Sequence, residues 1–151
     1  MINGVSVKKL NAIPDERGRL MEILRSDDPD FTKFGQVYMT TCYPGVVKGW
    51  HYHHKQTDYM TAISGMVKIV LYDNREDSPT KGELNEFFVG RHNRIRLTIP
   101  PGVCHGFKGI STDESIIINT VTEPYNYDNP DEHRIDPHDN DIPYNWQRVD
   151  G

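Results

Sequence analysis

Three of the seven histidines, His51, His53 and His54, fall close together in the stretch from Gly45 to Gly65, GVVKGWHYHHKQTDYMTAISG. Imidazole changes charge near neutrality, which suits it to proton transfer and to binding metal ions. The residues before and after are β-branched and aromatic and stop at Ser64-Gly65, the pattern of two strands ended by a turn. Side chains on a strand alternate faces, so His51 and His53 share one surface and His54 takes the other. Asp58 follows shortly, and His105 lies downstream behind Pro100-Pro101-Gly102. His51, His53, Asp58 and His105 have the donor types of a divalent transition-metal site: imidazoles and one carboxylate around an open position. The residues alone leave His53 evenly placed between ligand, substrate contact and barrel lining. They leave Asp58 between ligand, partner of His53 and structural acceptor. His54, His92, His133 and His138 are expected in solvent.

The elements that must hold these groups are short strands. Val5–Leu10 alternates weakly, as an edge strand would. Pro14–Gly18 is a turn before Arg19–Leu24, and Gln36–Thr41 leads through Pro44-Gly45 into the histidine stretch. Ile95, Leu97 and Ile99 alternate with Arg94, Arg96 and Thr98, the clearest two-residue period in the chain. Val67–Leu71, Leu84–Val89, Val103–Phe107 and Ser115–Val121 complete the set, with a charged loop over Asp73–Lys81 expected in solvent. Helical periodicity is nowhere sustained. From Glu123 the composition turns to Pro, Asp, Asn and Tyr, so residues 123–151 are expected to lie over the domain rather than add a helix or central strand. Many short strands joined by Gly/Pro turns predict an all-β barrel or sandwich.

With 151 residues the chain suits one domain, 1–151, with a real core. A net charge of −5 disfavours nucleic acid, whose phosphates need a basic face. No apolar run reaches membrane-spanning length, and Cys42 and Cys104 form no CxxC pair. A cytoplasmic protein with reduced thiols is the expectation.

Two resemblances sharpen this reading. The spacing from Gly45 through His51, His53 and Asp58 to Gly65 resembles the first metal motif of the cupin jelly rolls, with Asp58 in the usual place of Glu. Pro100-x-Gly102-x-x-His105 resembles part of the second. The second resemblance runs from about Asp15 to Trp146, to the dTDP-4-dehydrorhamnose 3,5-epimerase family. It is carried by Asp15-Glu16-Arg17-Gly18-x-x-x-Glu22, Gln36, Lys48-Gly49-Trp50-His51-Tyr52, Ser78-Pro79-Thr80-x-Gly82, Pro100-Pro101-Gly102-x-x-His105-Gly106-Phe107 and Ile135…Asp139…Ile142…Trp146.

This resemblance implies a cupin-type double-stranded β-helix (jelly roll), working without metal and paired as a homodimer. The implied activity is epimerisation of a nucleotide-diphosphate sugar, a 4-keto-6-deoxy sugar, by proton abstraction beside the ketone. By resemblance His51 is the base and Asp139 its carboxylate partner. His105 and Lys48 lie near the developing oxyanion. Arg17, Glu22 and Gln36 hold the nucleotide-sugar, the first two by reaching a neighbouring subunit's site, and His53 and Asp58 are counted with the substrate-binding residues from their own place in the histidine stretch. The chain departs from the family in two places. Asp58 stands where the family has lysine, and the family's tyrosine acid falls near Ile118, with Tyr125 or Tyr127 as replacements from the tail. Alternatives from the same residues are a sugar 3,4-ketoisomerase, a metal-dependent cupin enzyme and a non-catalytic sugar-nucleotide binder.

Overall fold

Alternation in β9 (Ile95–Ile99) points Ile95, Leu97 and Ile99 inward, and the computed structural model, which describes residues 1–151, buries all three. The same period shapes the other strands: β1 (Ser6–Lys9), β2 (Ala12–Asp15), β3 (Gly18–Met21), β4 (Gln36–Cys42), β5 (Val47–Tyr52), β6 (Asp58–Ser64), β7 (Met66–Asp73), β8 (Leu84–Gly90), β10 (Val103–Gly109), β11 (Ser115–Val121) and β12 (His133–Arg134). There is no helix. One antiparallel sheet runs β1-β9-β6-β11-β4, the second β12-β5-β10-β7-β8, and β2-β3 forms a separate hairpin. Two sheets enclosing a common core are the jelly roll expected of the sequence, and each pairing follows side-chain alternation.

The main core lies between the sheets. Met60, Leu97, Ile99 and Ile117 from the first meet Val67, Ile69, Leu71 and Phe107 from the second. A smaller cluster lies on the outer face of the second sheet. Trp50, Val70 and Cys104 are roofed there by Trp146, with Ile135, Ile142 and Tyr144 packed around them. Four tail residues, Ile135, Ile142, Tyr144 and Trp146, thus pack on this face of the sheet. Gly49 and Gly106 face each other beneath Trp146: a Cβ on Gly49 would come within 2.7 Å of the Gly106 Cα, and one on Gly106 within 3.1 Å of the indole. The close β5–β10 approach behind the histidines depends on that missing atom.

The loop after β7 is ordered around an ion. Asp73 is fully buried, and its carboxylate accepts from Arg75 Nε at 2.8 Å, Ser78 Oγ at 2.5 Å and Thr80 Oγ1 at 2.6 Å. Burial opposes its ionisation, but these donors outweigh it and hold the carboxyl far below its ordinary value. The Ser78-Pro79-Thr80 motif is thus a cradle for Asp73, the one residue to depart from a loop whose Asn74, Glu76, Asp77, Pro79 and Lys81 are exposed as expected. A second buried ionic cluster sits on the outer side of β9, where Arg96 bonds Asp28 and Asp30, each at 2.6 Å.

Candidate active site

β5 and β10 present the histidines side by side. His51 and His105 are direct partners in the antiparallel register, with ring centroids 6.2 Å apart, and His53 stands 5.5 Å from His105. All three line one open cavity of about 930 Å³ between the sheets, a volume suited to a drug-sized or nucleotide-sized ligand. Met60 and Phe107 form its apolar floor, shared with the core. Gln36, Tyr38 and Thr40 of β4 form the facing wall. His54 is exposed, as alternation required.

His51 meets a carboxylate, but not the expected one. Its Nδ1 lies 3.3 Å from Glu132 Oε1, and Glu132 in turn accepts from Arg134 at 2.7 and 2.9 Å. Glu132 reaches the ring because β12 pairs with the edge of β5, setting Arg134 opposite His51. Asp139 lies outside the cavity. It is exposed, in a turn where Asp136 accepts from its backbone N–H at 2.9 Å. The family resemblance pointed to Asp139, and the added edge strand delivers an earlier residue instead.

Burial pulls the His51 pKa below its ordinary value, with Glu132 pulling the other way. The ring is therefore neutral near pH 7. With Nδ1–H donated toward Glu132, its Nε2 lone pair is available to take a proton. His105 is buried, and desolvation pushes its pKa down to about 4, against the field of Asp58. Its Nδ1–H donates to the Val103 carbonyl at 3.2 Å, so Nε2 is an acceptor. Of the two residues expected near the oxyanion, His105 thus presents an acceptor, while Lys48 lines the cavity as a donor and bonds Thr40 Oγ1 at 3.1 Å.

His53 is held on both sides. Its Nδ1 donates to the Asp131 carbonyl at 2.5 Å, and its Nε2 faces Asp58 Oδ2 at 3.7 Å. The Asp131 carboxylate accepts from the backbone N–H of His54, Lys55 and Gln56, fixing the turn after His53. Asp58 is buried, and its Oδ1 accepts from Gln56 Nε2 at 3.0 Å and Asn119 Nδ2 at 2.7 Å. Of the four residues with metal-ligand chemistry, three converge: atoms of His53, Asp58 and His105 all lie within 4.8 Å of one another. His51 stands outside that set, beside Glu132.

Arg17 and Glu22 are exposed and away from the cavity, on and just after the β2–β3 hairpin. Arg17 pairs with Asp15 at 2.6 Å and Glu22 with Arg25 at 2.8 Å. Gln36 is in the cavity wall, its side-chain oxygen accepting from the Tyr125 N–H at 2.8 Å. Sequence reasoning missed Glu132, Asp131, Arg134, Asn119 and Tyr38. The signal for Tyr38 was there, because the period of two that puts Gln36 inward also puts Tyr38 and Thr40 inward.

With this geometry in hand, similarity to known proteins is informative. The chain matches the family described as dTDP-4-dehydrorhamnose 3,5-epimerase over residues 1–150. It is 44% identical over 146 residues to the spore coat polysaccharide biosynthesis protein SpsL of Bacillus subtilis, covering 97% of each chain. It is 42% identical over 145 residues to the probable low-salt glycan biosynthesis epimerase Agl13 of Haloferax volcanii, covering 91% of this chain and 89% of that one. Among solved structures, a dTDP sugar isomerase of Desulfovibrio desulfuricans superposes with a TM-score of 0.92 at 33% identity, over 99% of this chain and 94% of that one. An all-β double sheet enclosing a paired histidine, a match along nearly the whole chain and relatives of polysaccharide synthesis agree: the chain belongs to the dTDP-4-dehydrorhamnose 3,5-epimerase family of nucleotide-sugar epimerases.

Proposed function

We propose that the enzyme inverts a carbon beside the ketone of a nucleotide-linked 4-keto-6-deoxy sugar, with His51 as base and Glu132 as its partner. The observation carrying this reading is the His51 ring, neutral, backed at Nδ1 by Glu132 at 3.3 Å and facing a cavity large enough for the substrate. His51 Nε2 takes the proton from carbon, and the electron pair moves to the carbonyl oxygen. Glu132 stabilises the imidazolium, and the Lys48 ammonium stabilises the enolate oxygen. Lys55 and Arg134 at the cavity wall supply positive charge for the diphosphate, and Gln36 lies within reach of the nucleotide or sugar.

The test is exchange in deuterated water with dTDP-4-keto-6-deoxyglucose. The C3 or C5 proton is expected to be replaced by deuterium, and His51→Asn is expected to stop it. No exchange at either carbon with this or related 4-keto sugars would reject the reading.

A homodimer belongs to this proposal. The exposed Ile13 and Leu20 of the β2–β3 hairpin and the exposed Val37 and Met39 of edge strand β4 favour pairing with a second copy. Such pairing would bring Arg17 and Glu22 to the neighbour's site. Light scattering is expected to give twice the 17.4 kDa chain mass, and a monomer at micromolar concentration would remove this part.

Metal is not needed for these steps. A second reading rests on the convergence of His53, Asp58 and His105 within 4.8 Å. Both rings donate Nδ1–H to backbone carbonyls, the orientation usual for metal-bound histidine. A divalent transition metal there would supply Lewis-acid polarisation of the ketone. Stoichiometric metal in protein purified without chelator, lost on His53→Ala, favours this reading, and metal-free protein with full activity removes it.

A further inference from the structure

Inversion needs two proton-transfer groups on opposite sides of one carbon, and the site described so far has only one. A proton taken by His51 and returned by His51 restores the starting configuration. The second group must reach the cavity from the wall that faces β5, which is β4 and β11 of the other sheet. On β11 the inward residues offer no acid: Ile117 and Val121 are buried apolar side chains, and Asn119 is an amide. Ile118 pairs with Met39, which is 61% exposed, so that register position faces away from the cavity. On β4 the inward residues are Gln36, Tyr38 and Thr40, and among them only Tyr38 carries an acidic proton.

The geometry points to Tyr38 as the proton donor to the face of the sugar opposite His51, with Asn119 as the residue that positions its hydroxyl. This rests on the epimerase reading above and adds its second half. Tyr38 and Asn119 are register partners on adjacent strands, and Asn119 Nδ2 donates to the Tyr38 hydroxyl at 2.8 Å and to Asp58 at 2.7 Å. The phenol is therefore fixed on its own wall by a fully buried amide. Burial, with the field of Asp58 and against the Asn119 hydrogen bond, raises its pKa to about 12. It is thus protonated at working pH, as a donor must be. In the step itself, the enolate electron pair forms the new C–H bond with the phenol proton, and the ketone re-forms. The phenolate, held by the Asn119 N–H, takes a proton from water at the cavity mouth. The His51 imidazolium returns its proton to water, so no atom or electron is gained.

Tyr125 is the rival phenol, since it also lines the cavity; the two are exposed to a similar degree, 42% against 39% for Tyr38, but Tyr125 sits on the tail, whereas the Tyr38 hydroxyl stands on a strand and is held by Asn119. The experiment compares wild type, Tyr38→Phe and Tyr125→Phe on dTDP-4-keto-6-deoxyglucose in deuterated water. It reads two quantities: loss of the substrate's own C3 or C5 proton by NMR, and the fraction of inverted sugar after borohydride trapping. Thermal unfolding and dTDP binding establish that each variant is folded. Tyr38→Phe is expected to keep proton exchange within about threefold of wild type while inversion falls by on the order of 10²-fold or more. Tyr125→Phe is expected to keep both. Inversion at near wild-type rate in folded Tyr38→Phe, inversion lost in Tyr125→Phe instead, or exchange lost together with inversion in folded Tyr38→Phe each overturns the assignment and leaves the epimerase reading standing. Wild type that neither exchanges nor inverts any 4-keto sugar removes both.

Discussion

At Arg96 every carboxylate oxygen is answered. Asp28 meets Lys8, Arg96 and the Arg25 N–H, and Asp30 meets Arg96, Ser6 and Thr98. Burial opposes both charges, but these partners win, leaving Asp28 at about 2 and Asp30 lower still. The histidine wall of the cavity is just as polar and built on the other principle. His51, His53 and His105 each spend one nitrogen on an anchor and leave the other aimed at open volume or at a neighbouring site residue. The guanidinium cluster has its charges neutralised locally, so it stabilises and does nothing else. The histidine cluster keeps nitrogens without a hydrogen bond, which is the reserve that the proposed proton transfer would draw on.

Mutations that treat the two clusters alike should separate them. His51→Asn is expected to cost on the order of 10⁴-fold in kcat/KM, about 5 kcal/mol of transition-state stabilisation, with an unchanged urea midpoint. Arg96→Met is expected to do the reverse. It should lose about 3–5 kcal/mol of stability, because Asp28 and Asp30 are left without their guanidinium, while the folded enzyme keeps its kcat/KM. Equal urea midpoints for wild type and Arg96→Met would show that the cluster is not structural. The pH dependence follows from the sign of the shifts. The folded carboxyl pKa values lie below the ordinary 3.8, so this stabilisation is complete above about pH 4 and is lost as pH falls toward about 2.

Smaller effects sharpen the picture at the catalytic ring. Glu132 holds the His51 pKa up against burial. Glu132→Gln should therefore move the acid limb of the kcat/KM profile to lower pH and reduce its plateau by on the order of 10²-fold. Asp139→Asn should stay within about twofold of wild type, as expected for an exposed side chain in a turn. If the two results were exchanged, the tail would have to sit differently from the arrangement described.

Much of the fold was legible because it rests on a local rule. The two-residue period in Ile95–Ile99, the β-branched run at Ser115–Val121 and the Gly/Pro turns between them gave strands, inward faces and a two-sheet architecture. Within the solvated Asp73–Lys81 loop only Asp73 misled, because it buries its charge among partners supplied by the following residues, and polarity says nothing about whether such partners close around an ion. The site was half legible. Alternation put His51 and His53 on one face, but no local rule indicates that His133–Arg134 will pair with β5 or that Glu132 will arrive with it.

The chain by itself determined the strands and the shared face of His51 and His53, since each depends on neighbours a few residues away. Only the tertiary structure decided that Glu132 and not Asp139 meets the His51 ring, that His105 presents an acceptor, and that Tyr38 and His51 line one cavity from different sheets. Those facts depend on sheet register and on which edge the tail joins. Such pairings bring together residues far apart in sequence, and side-chain pattern constrains them only to a face.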